Sequence, residues 1–72
     1  MHVETVMIHV RFAPDGSVTE IGERPPALTP QAWFNLLSVK AADQYQTFAG
    51  GRGVFRLGRP VVEGLKGAAA AQ

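Results

Sequence analysis

The sequence predicts an α+β fold: a small antiparallel β-sheet, built from a hairpin and a third strand, covered on one face by one amphipathic helix. Three observations carry this. Residues 3–12 alternate apolar with polar side chains, residues 30–48 place apolar side chains three and four apart, and a Pro-Asp-Gly turn separates the first run from a second short alternating one.

Val3 to Phe12 reads as the first strand, with Val6, Ile8, Val10 and Phe12 on one face and Thr5, Met7, His9 and Arg11 on the other. Ala13-Pro14-Asp15-Gly16 then turns the chain: Pro presets φ, Asp bonds the backbone ahead, and Gly accepts positive φ. Ser17 to Gly22 returns as the second strand. Val18 and Ile21 have opposite parity, so either a bulge near Thr19-Glu20 or a short strand that begins late is expected. Glu23-Arg24-Pro25-Pro26-Ala27 cannot extend the ladder, because two prolines remove two donors; it is a connector from sheet to helix.

Thr29 is suited to cap the helix and Pro30 to occupy its first position. Trp33, Phe34, Leu37, Ala41, Tyr45 and Phe48 then form one stripe, which predicts a helix from about Pro30 to Phe48, ended by Gly50-Gly51. The segment Gln44 to Phe48 also alternates as a strand would, with Ala49 to Gly53 as a hairpin loop. On that alternative the order becomes ββαββ, and Tyr45 and Phe48 lie on opposite faces. The unbroken stripe favours the helix.

Gly53 to Gly58 is the next strand, with Phe55 and Leu57 on one face and Val54 and Arg56 on the other. Pro60 can open a short final helix, Val61 to Lys66, which Gly64 and Gly67 weaken. The expected architecture is ββαβ with this short helix at its end. Residues 1–67 form one domain and the alanine-rich 68–72 a frayed tail.

Seventy-two residues, 46% of them hydrophobic and only 18% charged, exclude a disordered chain and leave a core of marginal size. Association is the usual remedy, so a homodimer is expected, formed through the sheet face turned away from the helix or through an edge strand. The interface candidates are Met7, His9, Val54 and Arg56, with Trp33 as an aromatic anchor or, alternatively, a core residue. The absence of cysteine excludes disulfides, thiolate zinc sites and cysteine nucleophiles. No run approaches the length of a membrane span and the first residues lack a signal-peptide pattern, so a cytoplasmic location is expected.

Charge is uneven along the chain. Through Asp43 three basic residues face five acidic ones; from Gln44 onward Arg52, Arg56, Arg59 and Lys66 face only Glu63. With Arg11 on an adjacent strand, Arg52, Arg56 and Arg59 could make a nucleic-acid surface. A pI of 8.3 lies below the range above about 9 usual for dedicated nucleic-acid domains, and a protein partner is the favoured expectation. Gly50-Gly51-Arg52-Gly53 lacks the Lys-Ser/Thr ending of a phosphate-binding P-loop. His2 and His9 fall on opposite faces of one strand, and neither Ser17 nor Ser38 lies in a nucleophile pattern. The expectation is a non-enzymatic domain without metal or cofactor.

Overall fold

The computed structural model describes residues 4–70. His2 and the expected strand start at Val3 lie outside them, as do Ala71 and Gln72. The elements are β1 (Thr5–Phe12), β2 (Val18–Ile21), α1 (Pro30–Lys40), a single 3-10 turn (Ala42–Gln44), β3 (Tyr45–Phe48), β4 (Arg52–Gly58) and α2 (Arg59–Ala70). The fold is α+β: one four-stranded antiparallel sheet in the order β2-β1-β4-β3, with both helices on the same side.

The hairpin forms as its sequence dictates. The carboxylate of Asp15 accepts from the hydroxyl of Ser17 at 2.7 Å and from its backbone N–H at 2.9 Å. These two bonds hold the Asp15 carboxyl below its ordinary range. The expected bulge is present: Arg11 pairs with Glu20, but Phe12 pairs with Val18, leaving Thr19 as the extra residue. It brings Val18 and Ile21 to the same inner face despite their opposite parity. The amide of Val18 donates to the side-chain oxygen of Gln31 at 2.8 Å, tying the hairpin to α1.

Thr29 caps α1 by accepting from the amide of Ala32 at 3.1 Å, and Pro30 opens the helix. The helix stops at Lys40, eight residues earlier than the apolar stripe predicts, and Tyr45–Phe48 is a strand. The physical reason lies in β4. As a strand, Tyr45–Phe48 pairs with the backbone of Arg52–Phe55, whose edge would otherwise be unpaired. It also lays the Tyr45 ring over Gly53, where a Cβ would overlap that ring. Helical phase and strand alternation both fit the local sequence; the empty place above Gly53 exists only once β4 is in position. The following loop needs φ of +82° at Gly50 and +69° at Gly51, which glycine adopts without strain. The carbonyl of Gly51 accepts from the amide of Phe12 at 2.8 Å, docking the loop on β1.

The core lies between the sheet and the helices. Val6, Ile8 and Val10 of β1 and Phe55 and Leu57 of β4 pack against Trp33, Leu37 and Ala41, with Val62 of α2 completing the cluster. Phe34 meets Phe12, Tyr45 and Phe55 edge-on, with ring centroids 5.2, 5.8 and 5.8 Å apart, an arrangement aromatic quadrupoles favour. Trp33 is fully buried, and its indole N–H donates to the carbonyl of Gly22 at 3.0 Å. It pins the connector to the core and offers no surface to a partner, which corrects its candidacy as an interface anchor. Phe48, placed in the core by the helical stripe, stands instead on the opposite face and is 42% exposed.

α2 is longer than expected. The alanine-rich segment is helical as far as Ala70, and Ala69 is buried. Val62, Leu65 and Ala69 recur on the buried side of the helix. A charged clasp binds its first turns to the rest. Arg59 meets Glu4 at 3.3 Å, Glu23 at 3.0 Å and Glu63 at 3.1 Å, and Lys66 meets Glu23 at 2.6 Å. Burying Val62 stabilises by roughly 1.5–3 kcal/mol, whereas ion pairs at this exposure add little, so packing holds the helix and the clasp orients it. Glu23 has φ +60°, an uncommon value for a side chain other than glycine. Bonds from Lys66 first and Arg59 second hold its carboxyl below the ordinary range.

Two outcomes follow from this packing. A Cβ at Gly64 or Gly67 would meet open space, so Gly64→Ala and Gly67→Ala should each stabilise by about 0.5–1 kcal/mol in urea denaturation. The contribution from Glu23, whose pKa is lowered in the folded state, is complete above the ordinary carboxylate range and is lost as pH falls from there through the lower folded-state value. Stability measured from neutral pH down to about 3 should therefore decline less steeply in Glu23→Gln than in the unaltered protein, from a lower neutral-pH starting value.

Candidate functional surface

Antiparallel register decides which side chains share the face turned away from the helices. In the pairing of β1 with β4, Met7 lies opposite Arg56, His9 opposite Val54 and Arg11 opposite Arg52. The pairing of β3 with β4 adds Gln46 opposite Val54 and Phe48 opposite Arg52, and the hairpin adds Glu20 opposite Arg11. One row across the four strands therefore reads Glu20, Arg11, Arg52, Phe48. The next reads His9, Val54, Gln46. All of these except Val54 are exposed.

Val54 is fully buried although no helix covers it, and it lies outside the inner core cluster. Its neighbours on that face are His9 and Gln46 on the flanking strands and Arg52 and Arg56 two residues away on its own strand. Val54, expected among the interface candidates, thus offers no exposed side chain on this face, unlike Met7, His9 and Arg56. Met7, at 48% exposed, and Phe48 are the large apolar groups that this face shows to solvent.

The electrostatics of the face are one-sided. The ion pairs within 4.0 Å among the described residues all involve Arg59 or Lys66. Arg11, Arg52 and Arg56 thus have no carboxylate partner at that distance, and the Arg56 guanidinium is held by the side-chain oxygen of Gln46. Arg11 and Arg52 are direct cross-strand neighbours, a like-charge pairing that destabilises a sheet. Between them and Phe48 runs a shallow groove of about 390 Å³, bordered also by His9 and floored by Val10 and Gly53.

Arg59, grouped with these arginines by its position in sequence, does not belong to the surface. It opens α2 and is held by three carboxylates, which raise its already high pKa further, Glu23 most strongly. Phe48 is the surface residue that the sequence misses, because its outward position depends on Tyr45–Phe48 being a strand. The alternation from Gln44 onward is the signal that points to it.

Among the described residues no group of three or more His, Asp or Glu side chains is placed to hold a metal ion. None of the described helices is long and apolar enough to cross a membrane.

The adjacent arginines oppose folding, so the surface should gain stability when one is removed. Arg52→Thr, which keeps strand propensity, should raise the urea midpoint at low salt, and the gain should shrink as salt screens the pair. Equal midpoints for both proteins at low salt would show that the two guanidinium groups do not repel.

No protein-family model matches the chain, and no curated protein or solved structure matches it either.

Proposed function

We propose that the domain is a non-catalytic binding module that works through the open face of its sheet, and that its partner there is negatively charged. The observation that carries this reading is the pair Arg11 and Arg52, side by side on the two central strands with no carboxylate within 4.0 Å among the described residues. An arrangement that costs folding stability and leaves strong donors unsatisfied is explained if an external anion completes it. Arg56 and His9 extend the donors over the face, and Met7 and Phe48 supply apolar contact between them. The sheet is a rigid platform, since both central strands are paired on either side.

Self-association is a second reading, with an edge strand as its place. A two-fold dimer through the open face would bring the arginines of one copy towards those of the other, which opposes it. The edge of β3 is the better site, for the amide of Val18 on β2 is already engaged by Gln31. A homodimer formed at β3 leaves the arginine face free for its anionic partner.

Retention on immobilised heparin, a general polyanion, tests the reading. The unaltered protein should be retained at low salt and released as salt rises. The double variant Arg11→Glu, Arg52→Glu should pass unretained while keeping its circular dichroism and its mass by light scattering. Lys40→Glu, at the end of α1 on the other side of the sheet, should behave as the unaltered protein does. Equal retention of the double variant would end the proposal.

A further inference from the structure

The row Arg11, Arg52, Phe48 places two arginines and an exposed aromatic residue at paired positions on three adjacent strands, whose backbones in a sheet lie about 4.8 Å apart. Resting on the reading of the open face as an anion-binding surface, we infer that its occupant is a single-stranded nucleic acid. The strand lies across the sheet with phosphates on Arg11 and Arg52 and a base stacked on Phe48.

Three features favour this chemistry over other polyanions. First, arginine forks match phosphate oxygens with two parallel bonds, and two adjacent forks match a backbone that repeats its charge. Second, an exposed phenyl ring beside a guanidinium is a stacking platform that any base can use, whereas the Asp and Glu side chains that give a polypeptide its negative charge bring no flat ring to it. Third, the surface is an open sheet with short loops around it. A duplex hides the faces of its bases and is read by an element that enters a groove, so Phe48 would find nothing to stack on. The nearly neutral chain does not contradict this, because the charges are separated in space. Glu4, Glu23 and Glu63 are gathered around Arg59 and Lys66 at α2, and among the described residues the paired positions of the open face carry Arg11, Arg52 and Arg56 against one carboxylate, Glu20. Glu20, at the β2 end of the row, repels phosphate there and so directs the strand toward Phe48.

Fluorescence anisotropy tests the inference, with labelled DNA and RNA single strands of about 12 nucleotides, a DNA duplex of equal length, and polyglutamate as competing polyanion. Single strands should bind more tightly than the duplex and than polyglutamate, and comparing the DNA and RNA arms shows which sugar the face prefers. Arg11→Ala and Arg52→Ala should each weaken binding and lower the slope of log affinity against log salt by about 0.7. Phe48→Ala should weaken single-strand binding roughly tenfold with the salt slope unchanged, and Phe48→Tyr, which keeps a ring, should restore it. The inference is overturned if duplex or polyglutamate binds as tightly as the single strands, or if Phe48→Ala has no effect. Retention on heparin without single-strand binding would overturn this inference and leave the anion-binding face standing. Loss of both would remove the face itself.

Discussion

The pairing of β1 with β4 organises the molecule. Seven consecutive residue pairs, from Thr5 with Gly58 to Arg11 with Arg52, set which side chains enter the core and which leave it. Because side chains alternate along both strands, a slip of β1 by one residue against β4 would turn Ile8 outward and bring Arg11 in while Phe55 kept its place. The burial of Val6, Ile8, Val10, Phe55 and Leu57 against the helices makes such a slip prohibitive. The same register that builds the core therefore builds the arginine row on the other face, and neither can change without the other.

The remaining elements complete that central pair. On one side the bulged hairpin covers the edge of β1, with Gln31 accepting from the amide of Val18. On the other, β3 covers the edge of β4, and Tyr45 fills the space that Gly53 leaves open. Tyr45 lies close against Phe55, with ring centroids 4.6 Å apart, and this burial pushes its phenol pKa up. Trp33 joins the connector to the core through Gly22, and the clasp at Arg59 and Lys66 gathers the chain start, the connector and α2. The positive φ at Glu23 is held within this clasp. A strained backbone persists where its surroundings over-determine it, and two cationic partners do so here.

Placing both helices on one side leaves the other face without a cover. Such a face on an antiparallel sheet is ordinarily a mixture of small polar and oppositely charged groups. This one instead gathers Arg11, Arg52 and Arg56 with Phe48 and Met7, while most of the acidic side chains sit elsewhere. The segregation, rather than the net charge of +1, sets the electrostatic potential over this face. Folding has also divided the basic residues by role: Arg59 and Lys66 pair with carboxylates around α2, and Arg11, Arg52 and Arg56 meet solvent on the open face.

The sequence by itself determined the local features whose causes are local. The alternation from Thr5 to Phe12, the Asp15-Gly16 turn, the bulge forced by Val18 and Ile21, and the Thr29-Pro30 start of α1 all depend on neighbours within a few residues. The inward and outward sets of β1 and β4 were legible for the same reason. Tertiary structure alone decided the rest. Residues 45–48 carry both a helical and a strand pattern, and the choice fell to the open edge of β4 and the space above Gly53, both contributed by residues later in the chain. That choice moved Phe48 from the core to the surface and completed the arginine row. The division of the arginines was equally hidden, because Arg56 and Arg59 are near neighbours in sequence. One ends on a strand facing water and the other at a helix start among three carboxylates, and only the arrangement of Glu4, Glu23 and Glu63 in space separates them.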